Sequence, residues 1–238
     1  MNTARSMLLI VKTGSTLPEI AAARGDFEHW FEDAIGHPAR VVDVSLGEAL
    51  PDPRSFRGVV VTGSAAMVSE RPPWSERTGR WLARAAAIGP PILAVCYGHQ
   101  LLADALGGEV GPNPRGREMG TVEVQATAAA RLDPLFRDLP SRLVVHATHF
   151  ESVLRLPEGA LPLAGNGADP HQAYRINDHV WSVQFHPELH DEAMRTYVRS
   201  RNDLLSNEGL DPTQILESVR STTHGISLLT RFGRLIGP

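Results

Sequence analysis

Cys96 is the only cysteine of the chain, and it follows the apolar run 91–95 (Pro-Ile-Leu-Ala-Val) and precedes a helical stretch at 101–106. A strand that turns sharply into a helix lifts the intervening side chain clear of the sheet. The helix N-terminus offers it free N–H groups and a positive dipole end, which favour thiolate over thiol. Such a nucleophile needs a base and a group to orient that base. Further on, Ser182-Val183-Gln184-Phe185-His186-Pro187-Glu188 ends another apolar segment with a histidine and a carboxylate two positions apart. In isolation a buried cysteine is more often an inert small hydrophobe, and Glu188 would be read as a solvated charge. The turn around Cys96 and the matching His-Pro-Glu make the chemical reading the stronger one. Gln100, four residues after Cys96, faces the same side of the helix.

The elements that must hold these residues follow from the hydrophobic pattern. Strand-length apolar runs at 7–11, 41–44, 59–62 and 92–95 alternate with helical patterns at 18–35, 73–88 and 98–106. Short continuous apolar strands separated by helices predict an α/β fold, with a mostly parallel central sheet covered by helices on both faces. After Gly108 the texture changes to short strands at 122–125, 143–146, 161–164, 172–176 and 180–184 with turns between them, which predicts antiparallel additions at one side. A helix is expected over 190–205. Pro212 is placed to open a last one, with apolar residues at Ile215, Val219, Ile226, Leu229, Phe232 and Ile236, interrupted by Gly225. A helix packed on its own domain is the reading favoured for it over a dimerisation helix.

Composition narrows the class. The 238 residues are 42% hydrophobic and 21% charged, the balance of a globular protein with a sizeable core. A lone cysteine forms no internal disulfide, and the first apolar run is too short for a signal segment, so a cytoplasmic location is expected. No run approaches the roughly 20 apolar residues that span a bilayer. A net charge of −4 without a basic tract gives no footprint for nucleic acid. Lys12 is the only lysine among 23 basic residues, which leaves no Gly-Lys phosphate loop and makes lysine-imine catalysis unattractive.

Cys96-Tyr97-Gly98-His99-Gln100, Gln184-Phe185-His186-Pro187-Glu188, the loop Val61-Thr62-Gly63-Ser64 and Gly116-Arg117-Glu118-Met119-Gly120 together resemble the class I glutamine amidotransferases. The likeness is to the amidotransferase half of GMP synthetase and its free-standing homologues, and spans roughly residues 6–205. It implies a flavodoxin-like amidotransferase domain over 1–205, followed by a helical extension over 206–238. It also implies that Cys96 attacks the side-chain amide carbon of glutamine, His186 serves as base and acid, and Glu188 orients His186. The backbone N–H groups of Gly63 and Tyr97 then form the oxyanion hole, where one lost donor typically costs on the order of 3 kcal/mol of barrier. Gln100 and Thr148-His149 fall where the family contacts the substrate, although for the His149 side chain a loop position with an exposed imidazole is an equal reading. No metal and no cofactor are implied.

The sequence departs from the family pattern in places. Ala94 stands where a glycine is usual, Thr62 and Ser64 replace a glycine and a proline of the GMP synthetase branch, and Phe150 stands where glycine usually follows His149. The first adds only a methyl group, whereas a bulky Phe150 beside the amino-acid end of the substrate could reshape that pocket. With no ATP loop in view, any acceptor of ammonia is expected on a separate synthetase subunit. Three activities fit this reading: glutamine hydrolysis for amidotransfer, cleavage of a γ-glutamyl peptide by the same thioester chemistry, and a non-catalytic binding role on the same fold. The intact Cys-His-Glu set argues against the last.

Overall fold

The computed structural model describes residues 7–237. Among these, strands β1 (Leu8–Lys12), β2 (Ala39–Asp43), β3 (Gly58–Val61), β4 (Ile92–Val95), β6 (Glu118–Ala126), β7 (Arg142–His149), β9 (Leu161–Gly165), β10 (Ala173–Ile176) and β11 (Val180–Val183) form one nine-stranded sheet in the order β2-β1-β3-β4-β11-β10-β9-β6-β7. The first five in that order are mutually parallel and the rest are joined antiparallel. The predicted α/β class and antiparallel side are therefore present, with one correction: the segment at 180–183 pairs parallel with β4 and is the last parallel strand.

The parallel strands β1, β3 and β4 read as nearly continuous apolar runs because both of their faces are covered, whereas β2 lies at the sheet edge with Arg40 and Val41 exposed. Leu8, Ile10, Val60, Leu93 and Val95 pack with α2 (Phe27–Ile35) and α8 (His224–Leu235), while Leu9, Val11, Val59, Val61, Ile92 and Ala94 pack with α3 (Pro73–Ile88) and α4 (Tyr97–Ala105). The alternation is the period-two geometry of a strand. Against one side lies a third cluster, in which α1 (Pro18–Arg24), α5 (Asp191–Ser200), α6 (Asn202–Asn207) and α7 (Pro212–Ser218) contribute Ile20, Met194, Tyr197, Leu205 and Ile215.

Several expected elements have different bounds. The helix predicted over 18–35 is two helices, because Gly25 takes a φ of 79° and Asp26 caps α2 through a capping box. The helix at 190–205 divides into α5 and α6, and the last segment divides into α7 and α8. The strands at 122–125 and 143–146 extend to β6 and β7, so Thr148 and His149 lie on a strand. Strands β5 (Glu109–Pro112) and β8 (Glu151–Arg155), absent from the sequence reading, form a small antiparallel sheet. In α8, Leu228, Leu229 and Phe232 are buried while Ile226 is exposed, so the helix covers its own core. At its start, Thr222 donates to the Val144 carbonyl and His224, the first residue of α8, accepts at Nδ1 from the Val144 N–H, occupying polar groups of the edge strand β7.

Candidate active site

Strands β3, β4 and β11 are neighbours in the sheet, and each delivers one part of the site from its carboxyl end, the side where ligands bind in open α/β sheets. The register sets Val61 beside Ala94 and Val95 beside Val183. Gly63, Cys96 and His186, which follow these strand ends, therefore emerge together. Cys96 has φ 50° and ψ −104°, a positive-φ conformation outside the left-handed helical region that a non-glycine residue adopts only when its surroundings force it. Its N–H donates to the Val183 carbonyl at 2.9 Å, continuing the ladder for one residue beyond β4. At Gly98 a β-carbon would lie 2.7 Å from the Val61 carbonyl oxygen, so the close seat of α4 on β3 requires glycine.

His186 donates from Nδ1 to Glu188 Oε1 at 2.7 Å, leaving Nε2 for the Cys96 sulfur. Both side chains are buried. Burial opposes the charge on His186, but the Glu188 carboxylate and the Cys96 sulfur outweigh it, and the imidazole pKa is pushed up to about 10. The ring stacks on Phe27, with centroids 6.2 Å apart. The His186 N–H bonds the His146 carbonyl at 2.8 Å, so β7 fixes the backbone under the imidazole.

Gly63 is tight for a different reason. A β-carbon there would stand 2.8 Å from His186 Cε1 and 3.4 Å from Cys96 Cβ. The loop is held from behind by Thr13, whose hydroxyl donates to the carbonyls of Thr62 (2.9 Å) and Gly63 (3.0 Å). Among the described residues, neither the Gly63 N–H nor the Tyr97 N–H has an acceptor. The Tyr97 side chain points away and donates to Ser75 Oγ at 2.6 Å.

Gln100 lines the cleft beside Cys96, with Nε2 donating to the Glu151 carbonyl (2.7 Å) and to Gln184 Oε1 (3.0 Å). Thr148 is at the same cleft, its hydroxyl accepting from Arg201 Nη1 at 2.5 Å. His149, for which the sequence allowed an exposed imidazole, is buried. Its Nε2 meets Glu118 Oε2 and its Nδ1 the Glu151 carbonyl, both at 3.0 Å. Glu118 also accepts from Asn166 (2.6 Å) and Gln172, so the Gly116–Gly120 segment contributes a buried carboxylate that fixes the floor of the cleft. Phe150 also lines the cleft, under the Arg117 guanidinium at 5.2 Å, and Arg117 is paired with Glu208 through two hydrogen bonds of 2.8 and 2.9 Å.

Sequence reasoning did not find Thr13, Phe27, Tyr197 or Arg201. All four reach the site through tertiary packing, and none carries a local signal beyond its residue type.

The family model described as glutamine amidotransferase class-I matches residues 40–202, and the chain belongs to that family. Among curated relatives, the GMP synthase [glutamine-hydrolyzing] of Aeropyrum pernix is 40% identical over 152 residues, covering 64% of this chain and 27% of that protein. A glutamine amidotransferase-like protein of Gibberella zeae is 30% identical over 197 residues, covering 81% of this chain and 78% of that one. The chain thus spans less than a third of the GMP synthase it matches. In three dimensions it superposes on a glutamine amidotransferase from Thermotoga maritima with a TM-score of 0.77 at 22% identity, over 98% of this chain and 99% of the other, which establishes the shared fold.

Proposed function

We propose that this chain hydrolyses the side-chain amide of glutamine, or a related γ-glutamyl amide, through a γ-glutamyl thioester on Cys96. The observation that carries the proposal is the convergence of the strained Cys96, the Glu188-bound His186 and the unpartnered N–H groups of Gly63 and Tyr97 at three adjacent strand ends.

The steps follow from that arrangement. A charged imidazole favours the anionic form of a thiol it touches. The Cys96 sulfur adds to the amide carbon, and the oxygen that gains the charge accepts from the Gly63 and Tyr97 N–H groups. His186 Nε2–H gives its proton to the amide nitrogen, the C–N bond breaks, and ammonia leaves. A water then gives a proton to His186 and adds to the thioester carbon. Collapse releases glutamate and returns sulfur to its starting state. Glu188 holds the imidazole in one orientation and stabilises its charge throughout.

Glutamine lies along the cleft of Cys96, Gln100, Thr148, His149 and Phe150 in this reading. The ammonia either leaves as product or passes to a synthetase unit outside these residues, as the name and greater length of the GMP synthase relatives support. Incubation of the purified chain with glutamine, with glutamate and ammonia quantified, tests the proposal. Equal release by the chain and by its Cys96→Ser variant would remove Cys96 from the reaction.

A further inference from the structure

Among the described residues, a second cleft opens onto the Cys96–His186 pair beside the one that holds Cys96. The first contains Cys96 and Gln100. The second contains His186 and runs past Phe27, Leu17, Ser15 and Tyr197. They share a wall made by Ser64, Ala65, Thr148 and Arg201. Glutamine has no use for the second cleft, because its leaving group is a bare amino group. In any amide cleaved by this pair, the departing nitrogen must face His186, which protonates it, so a substituent on that nitrogen would extend into the second cleft.

The lining indicates what that substituent is. Leu17, Phe27 and Tyr197 give apolar and aromatic walls, with the Tyr197 hydroxyl occupied by Thr16 at 2.7 Å. Arg201 lies over the Tyr197 ring with its guanidinium carbon 5.2 Å from the centroid. Its only side-chain hydrogen bond among the described residues is the one to Thr148, and no carboxylate among them lies within ion-pair distance. Arg117 nearby already has Glu208. A partly buried guanidinium with free donors matches a carboxylate in shape and charge. Burial also pulls the Arg201 pKa below its usual range, in keeping with a charge that lacks its counter-ion.

We infer that the second cleft is a leaving-group subsite for γ-glutamyl amino acids, with Arg201 binding the carboxylate of the departing amino acid and Phe27, Leu17 and Tyr197 packing on its carbon atoms. The inference rests on the thioester reading above. The reaction balances as before, with Cys96 sulfur replacing the amine nitrogen on the carbonyl carbon of the γ-glutamyl group, the His186 proton leaving on that nitrogen, and one water consumed in releasing glutamate.

The test uses the full chain carrying Cys96→Ser, which binds without turning over, and compares γ-glutamylalanine with its C-terminal carboxamide by calorimetry. The glutamyl end is identical in the two ligands, so only the leaving-group carboxylate differs. The carboxylate form should bind about 10-fold tighter, and Arg201→Met in the same background should bring the two affinities within about 2-fold, with Arg201→Lys between. Thermal melts establish that the variants fold, and the comparison in the Cys96→Ser chain needs no second variant. Equal affinities there, or a preference that survives Arg201→Met, would overturn the subsite. Binding of glutamine without carboxylate preference overturns the subsite alone, whereas binding of neither glutamine nor any γ-glutamyl compound overturns the proposed function with it.

Discussion

Gly225, the second residue of α8, lies directly against the backbone of Pro187. A β-carbon at position 225 would meet the Pro187 carbonyl oxygen and would stand 2.7 Å from Pro187 Cα. Further along, Phe232 packs edge-on against Trp181 of β11, with centroids 6.4 Å apart. The C-terminal helix therefore braces both β11 and the His186-Pro187-Glu188 segment that β11 delivers.

Gly225→Ala should consequently act at the active site. Alanine favours a helix by about 1 kcal/mol over glycine, but the collision with Pro187 is an overpacking cost of roughly 1–3 kcal/mol. Displacing His186 should lower kcat by about 10- to 100-fold, since small misplacements of a reacting group are costly. Steady-state kinetics with a melting curve check this. An unchanged kcat would mean that the brace does not position His186.

Gly63→Ala should be more damaging to catalysis than to folding. The added methyl would sit 2.8 Å from His186 Cε1 and 3.4 Å from Cys96 Cβ, against the proposed base and nucleophile at the open end of the strands. Activity should fall by at least about 100-fold, with a melting temperature within a few degrees of the parent, roughly 1 kcal/mol. Activity close to that of the parent chain would contradict the proposed role of the Gly63 loop as an oxyanion donor.

The pH profile reports on the His186–Glu188 pair. With its pKa pushed up to about 10, His186 keeps the proton needed by the leaving nitrogen until pH rises through that value, so kcat/KM should hold at mildly alkaline pH and then fall. Stability from the same pairing is fully present below the ordinary histidine value of 6.5 and is lost as pH rises through about 10. Glu188→Gln removes the charge that raises the pKa and should move the alkaline limb to lower pH. A limb that stays in place would assign it to another group.

His146 supplies the opposite sign. Burial, reinforced by His186 and His190 and opposed by Asp191, brings its pKa down to about 4. The unfolded chain therefore takes up a proton that the folded chain refuses, and stability should fall as pH drops from 6.5 toward 4, by on the order of 2–3 kcal/mol. Urea unfolding at pH 7 and pH 4.5 measures the difference, which His146→Asn should reduce.

The parts of the site that could be read from the sequence are those encoded by neighbours along the chain. Cys96 follows the continuous apolar strand β4, His186 follows the fully buried strand β11, and the turn chemistry beside them is local. Gly63 follows β3 in the same way. The break between α1 and α2 was also readable, since Gly25-Asp26 is a C-terminal glycine followed by a cap, yet the apolar periodicity running through 18–35 hid it. Arg201 and Thr148 meet across 53 positions, and Thr13 reaches Gly63 across 50. Such contacts depend on how the sheet and α5 pack, and an arginine at a helix junction is ordinarily a solvated charge. His149 looked as exposed as buried because its partner Glu118 lies on the adjoining strand β6, which the sequence pattern placed too far along the chain.

Covalent labelling tests the central claim most directly. A glutamine analogue with an electrophilic carbon in place of the amide carbon, incubated with the purified chain and followed by peptide mass spectrometry, should place one adduct on Cys96. Glutamine should slow the labelling by competition, and His186→Ala should slow it by about 100-fold or more. A folded chain that gives no adduct at Cys96, or one whose labelling glutamine does not compete, would contradict the assignment of this site to γ-glutamyl amide cleavage.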